Sequence, residues 1–139
     1  MSDLDRAIKL LEGHTCALVL GDRAYVSAER GIKPIAFLLE EGIDLEGFSV
    51  ADKIIGRAVA FLLIKAKAKE AYGEVVSTGA LALLEAHNIP CAYATLTEKI
   101  INRRGDDICP MEKAVQEIEE AEEAYKALLS KVLELQSKS

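Results

Sequence analysis

Leu4, Ala7, Ile8 and Leu11 recur at the spacing of one helical face, which predicts a helix over residues 3–12, capped by Ser2 or Asp3 and ended by Gly13. Cys16 to Leu20 is an unbroken apolar run of strand length, suited to burial on both faces. Gly21-Asp22 turns the chain, and Arg23 to Ala28 returns as a second strand, so the pair reads as a hairpin. Pro34 to Glu41 predicts a helix with Ile35, Leu38 and Leu39 inward and Gly42 as its stop. Val50 to Lys65 is apolar on most sides and predicts a central helix. Lys69 to Ser77 reads as a strand with Gly73 its weak point, Gly79 to His87 as a helix, and Cys91 to Leu96 as a fourth strand.

From Pro110 to about Leu135 the apolar positions run Met111, Ala114, Val115, Ile118, Ala121, Tyr125, Leu128, Val132 and Leu135, close to a 3.5-residue seam. One helix of that length spans about 39 Å, more than a body of about 110 residues with a radius of gyration of roughly 13 Å can cover. Two readings follow: a helix lying along its own domain with a free tail, or a seam between identical chains, a homo-oligomer. The order α-β-β-α-α-β-α-β-α gives an α/β layered single domain over 1–139, with a body at 1–109, a mixed sheet opened by an N-terminal hairpin, and a long C-terminal amphipathic helix at 110–139.

Composition narrows the partners. Half the residues are apolar and 29% are charged, so a folded core is expected, built without tryptophan. A net charge of -6 and the lack of any aromatic-basic stripe argue against nucleic acid. The longest strongly apolar run, Ala58 to Ile64, is far below the ~20 residues of a membrane span. Cys16, Cys91 and Cys109 form no CxxC pair and cannot all pair within one chain, so a reducing, cytoplasmic setting is expected.

The candidate chemistry is sparse. Cys109 stands before Pro110, at the N-cap of the expected helix, where unpaired amides and the helix dipole favour a thiolate. A buried cysteine beside Ile108 and Met111, acting as a small hydrophobe, explains it as well. Asp52-Lys53 falls at the start of the expected central helix. Asp52 suits that place electrostatically, whereas a partly desolvated Lys53 there would serve acid-base work or anion binding. Ser77-Thr78-Gly79 joins a strand to a helix and offers either an anion-binding turn or plain capping. His14 and His87 lack the paired N/S ligands of a zinc site, so no metal and no cofactor is expected.

Two local patterns carry a resemblance. Asp52-Lys53-Ile54-Ile55-Gly56-Arg57-Ala58-Val59-Ala60 is similar to a family pattern Asp-Lys-x-x-Gly-Lys/Arg-Ala-x-Ala. Ile100-Ile101-Asn102-Arg103 followed by Cys109-Pro110-Met111-Glu112 resembles its second, Ile-x-Asn-Arg…Cys-Pro-Met-Glu. Both belong to the prokaryotic domain of unknown function 1893, and the resemblance covers roughly Leu4 to Val115. It implies the three-layer cytidine-deaminase-like fold. Zinc deaminases carry His/Cys-x-Glu at one helix start and Pro-Cys-x-x-Cys at the next. The corresponding starts here, read as Ala51-Asp52-Lys53 and Ser77-Thr78-Gly79-Ala80, hold no zinc ligand.

The resemblance therefore implies a pocket where two helix N-termini converge, with Asp52, Lys53 and Ser77 facing it and the Asn102–Cys109 loop closing over it. The leading expectation is a zinc-free domain that binds a small anionic or nucleotide-like ligand. Lys53 would neutralise it, Ser77, Thr78, Asn102 and Arg103 would bind it, and Cys109 would be the candidate nucleophile beside Asp52. The rival is a non-catalytic sensor or oligomeric assembly module with a vestigial active site.

Overall fold

The first helix is set by its own ends. In the computed structural model, which describes residues 1–101 and 108–137, α1 (Asp3–Leu10) starts from Ser2. The Ser2 hydroxyl accepts the Asp5 N–H and the Asp5 carboxylate accepts the Ser2 N–H, a reciprocal capping box. Strand β1 (Cys16–Leu20) follows and turns through Gly21, at φ +57°, into β2 (Arg23–Ser27). Helix α2 (Lys33–Glu40) then leads into the centre of the sheet.

The stretch expected to be one central helix is two elements. Strand β3 (Ser49–Ile55) ends at Gly56, and α3 (Arg57–Ala66) begins there. Ser49–Ile55 shows no strict alternation of apolar and polar residues, so its pattern does not separate it from the apolar helix that follows. Pairing on both edges decides the matter: β3 runs antiparallel to β1 and parallel to β4 (Glu70–Ser77), so its amides and carbonyls are taken up by neighbours. Asp52 and Lys53 therefore sit within a strand, not at a helix start.

Helix α4 (Thr78–Ala86) and strand β5 (Cys91–Thr97), parallel to β4, complete a five-stranded mixed sheet of order β2-β1-β3-β4-β5. Alternation along β1 divides the interior. Ala17 and Val19 pack with Ala7 and Leu11 of α1, whereas Cys16 and Leu18 join the main core with α2, α3 and α4. The result is a three-layer α/β arrangement with the sheet in the middle, and α3 is deeply buried against it, with Phe61, Leu62 and Leu63 wholly inaccessible.

The C-terminal helix is also two elements, α5 (Pro110–Ala114) and α6 (Ala121–Ser137). No proline or glycine marks the break. The Arg57 guanidinium donates from Nη2 to the Ile118 carbonyl at 2.8 Å, which occupies an acceptor that a continuous helix would use internally. Helix α6 then lies back on α3, burying Ala124, Tyr125, Leu128 and Val132. Its apolar seam is thus spent on its own domain as far as Val132, whereas Leu133 and Leu135 beyond it are exposed. Among the described residues no helix is long and apolar enough to cross a membrane.

Candidate functional site

Strands β3 and β4 are parallel neighbours, and each passes almost directly into a helix. Their helices α3 and α4 therefore begin side by side, beyond the carboxyl ends of the two strands, where open α/β sheets place their ligands. The amides at such N-termini lack intrahelical acceptors and attract negative charge.

At α3 that demand is already met. The Arg57 N–H donates to Glu112 Oε1 and the Ala58 N–H to Oε2, both at 2.8 Å, so one carboxylate from α5 caps a helix more than fifty positions away. Gly56 makes room for it: an ideal Cβ there would lie 2.5 Å from Glu112 Oε1. At α4 the cap is local, the Ser77 hydroxyl accepting the Ala80 N–H at 3.1 Å. Ser77 is buried, whereas Thr78 is exposed.

Arg57 lies between the two helix starts. Its guanidinium is 5.1 Å from the Phe61 ring centroid, and its side chain passes Gly79 closely enough that a Cβ there would meet Arg57 Cδ at 3.3 Å. Nε of Arg57 is buried and has no hydrogen-bond partner among the described residues. Beside it opens a pocket of about 150 Å³, whose polar lining is Arg57, Ser77, Glu98, Lys99, Glu112 and Gln116. The electrostatics are balanced, two cations facing two carboxylates.

The structure brings only part of the expected site together. Ser77 lines the pocket. Asp52 and Lys53 do not, because both belong to β3. Lys53 is half-exposed and pairs with Glu74 at 3.0 Å, which neutralises it outside the pocket. Asp52 is 5% exposed, opposite Cys16 across β1 and β3. Its Oδ1 accepts the Ile54 N–H at a long 3.4 Å, and its Oδ2 has no partner among the described residues. Burial pushes the Asp52 carboxyl up to about 8, a rise that the amides of Ile54 and Lys53 and the neighbouring Cys16 thiol only partly offset. Burial likewise raises the Cys16 thiol well above its usual range, reinforced by the Asp52 charge.

Cys109 does stand at an N-cap, but of a five-residue helix, and its thiol makes no capping bond. Such a short helix supplies little of the dipole on which the thiolate argument rested. Its N–H donates to the Ile100 carbonyl at 2.9 Å, and it is Ile108, bridged to Ile101, that lines the pocket. Asn102 and Arg103 lie outside the described residues. Thr78 is exposed and does not belong to the pocket lining. His14 and His87 donate from Nδ1 to the Leu10 and Leu83 carbonyls, 2.8 and 3.0 Å away, as helix-end residues do. Among the described residues no group of three or more His, Cys, Asp or Glu is arranged to hold a metal.

Sequence reasoning missed Arg57 and Glu112 as site residues. Both stood within the motifs quoted above. The one signal available was Glu112 two residues after Pro110, but nothing local announces that it caps another helix.

Comparison with known proteins agrees with this geometry in fold and extent. Residues 6–132 match the TM1506 family, described as Domain of unknown function (DUF1893). A crystal structure of a DUF1893 family protein (TM1506) from Thermotoga maritima superposes with a TM-score of 0.84 at 31% identity, covering 92% of this chain and 88% of that one. Among curated proteins, none matches.

Proposed function

The chain belongs to the TM1506 family, the domain of unknown function DUF1893, and from that premise we propose that it is a cytoplasmic, zinc-free domain of the cytidine-deaminase-like fold that binds a small anion between the starts of α3 and α4. The order of a hairpin followed by helix, strand, helix, strand and helix supports the fold assignment. The observation that carries the binding reading is Arg57, a guanidinium held between two helix N-termini with a buried, unpartnered Nε and a pocket alongside.

Size restricts the ligand. Pockets for drug-sized ligands run from about 300 to 1,000 Å³, and this one has about 150 Å³. A phosphate, a small carboxylate or the phosphate end of a nucleotide fits that space; a whole enclosed nucleotide does not. Zinc does not fit the residues present. The helix starts are Gly56-Arg57-Ala58 and Ser77-Thr78-Gly79, without a thiol or imidazole, and the Arg57 cation occupies the ground between them.

A second reading has its own support. Glu112 already satisfies the α3 amides, which is what a retired site in a sensor or assembly module would look like. Thermal shift with inorganic phosphate and with acetate separates the two. At tenfold excess over Kd a specific anion stabilises by about 1.4 kcal/mol, and Arg57→Gln abolishes that gain. A wild-type chain that melts identically with and without either anion at constant ionic strength refutes the binding reading and leaves the second.

A further inference from the structure

Strand β5 ends the sheet, and among the described residues no strand pairs with its outer edge. Its middle residues, Ala92, Tyr93, Ala94, Thr95 and Leu96, are all exposed in succession. Alternate side chains point to opposite faces of a sheet, so both faces and the free edge are open together. Tyr93 is 44% exposed and Leu96 40%, and Ile54, in the same row two strands inward through Val75 and Thr95, is 47% exposed. Proteins usually blunt such an edge with a charge, a proline or a bulge. Here Ala86 to Thr97 is the longest interval without Asp, Glu, Lys or Arg in a chain that is 29% charged, and Pro90 precedes the strand without interrupting it. The opposite edge, β2, carries Arg23.

We propose that the β5 edge is an interface between two copies of this chain, paired antiparallel across a two-fold axis at Ala94, so that the two sheets join into one. Charge selects the occupant. A charged partner would lose hydration along this strand and meet no counter-charge. A second copy has a net charge of -6 and is repelled over most of its surface, but it offers an uncharged edge of the same length. Antiparallel pairing about Ala94 sets Tyr93 of one copy opposite Thr95 of the other and Ala92 opposite Leu96. It also places Glu98 opposite Pro90 and Lys99 opposite Ile89, so no like charges face each other. The contact is self-complementary, as a two-fold interface requires. It differs from a seam along α6, most of whose apolar side is buried within its own domain.

Sedimentation velocity of the full chain at tens of micromolar, with three variants, tests the assignment. Wild type and Leu133→Lys, which alters an exposed position on α6, sediment as dimers. Thr95→Lys weakens association at least tenfold. Ala94→Cys forms a covalent dimer on mild oxidation, because residues facing across an antiparallel pair have Cα atoms about 4.5–5.5 Å apart, within disulfide reach. A monomeric wild type, a Thr95→Lys chain that still dimerises, or dissociation caused by Leu133→Lys alone overturns the proposal. Should Thr95→Lys fail to fold, the Ala94→Cys cross-link decides: its absence in a dimeric chain overturns the β5 interface.

Discussion

Gly56 and Glu112 occupy each other's space. The carboxylate that caps α3 sits where a side chain on residue 56 would begin, and an ideal Cβ would lie 2.5–2.7 Å from its Oε1, Cδ and Oε2 atoms. The φ of Gly56 is -100°, which any residue adopts, so the need for glycine here is the close approach and not the backbone conformation. Gly56→Ala is expected to push Glu112 off the Arg57 and Ala58 amides and cost about 1–3 kcal/mol, the range for leaving such groups unsatisfied. Glu112→Ala should cost a similar amount. The double variant is the decisive measurement: with the carboxylate gone, alanine at 56 should add little, a coupling of roughly 1 kcal/mol or more by urea denaturation. Equal costs of Gly56→Ala in both backgrounds would show that the clash is not with Glu112.

The return of α6 onto the body is fastened by polar contacts at the rim of an apolar seam, among them the pair of Lys65 with Glu122 and the bond of Tyr125 to Glu40. The Tyr125 hydroxyl donates to Glu40 Oε1 at 2.6 Å, and Lys65 Nζ stands 4.6 Å from the Tyr125 ring centroid. Tyr125→Phe keeps the ring and loses the bond from α6 to α2, so about 1 kcal/mol and a Tm lower by roughly 4 °C are expected. Tyr125→Ala removes the buried ring as well and should cost about 3–5 kcal/mol. Calorimetry checks both. A phenylalanine variant as damaged as the alanine variant would mean that the hydroxyl, and not the ring, holds α6 in place.

Local chemistry was legible in the sequence, and chemistry between distant segments was not. Ser2, Ser77, Gly21 and Pro90 act within a few residues of themselves, so the capping box, the α4 cap, the hairpin turn and the start of β5 could be read from neighbours alone. Strand β3 could not, because Ser49–Ile55 mixes apolar residues with Ser49, Asp52 and Lys53 in no clean alternation and runs directly into an apolar helix, and only pairing with β1 and β4 separates the two. The break before α6 depends on Arg57 reaching the Ile118 carbonyl, 61 positions on. Glu112 caps amides 54 and 55 positions away. That one helical misreading also moved Asp52 and Lys53 from the sheet interior to an imagined helix start, and with them the candidate site.

Asp52 makes stability depend on pH in the direction opposite to most carboxylates. Its folded pKa is raised to about 8 from an ordinary 3.8, chiefly by burial. Between those values the unfolded chain has released the proton that the folded chain keeps. Stability from this group is therefore greatest below about pH 4, falls as pH rises, and has been lost by about pH 8. The slope is at most ~1.4 kcal/mol per pH unit. Asp52→Asn removes the titration, so wild type minus Asp52→Asn should become steadily more unfavourable from pH 4 to pH 8 in urea melts. A difference that stays flat over that range would mean Asp52 ionises in the fold as freely as in the unfolded chain.

The three cysteines should react in an order set by burial and charge. Cys16 is 0% exposed and its thiol is raised by burial and by Asp52, so it should label only on unfolding. Cys91 is half-buried at the start of β5, and burial together with Glu85 pushes its thiol up to about 11. At pH 8 only about one molecule in a thousand then presents the Cys91 thiolate, the form that reacts. Cys109 is half-buried and lies outside the pocket lining, so it should label first. Peptide mapping after timed alkylation at pH 7 and pH 9 reads the order directly. A Cys91 that labels as fast as Cys109 at pH 7 would show that burial at the start of β5 does not restrain its thiol.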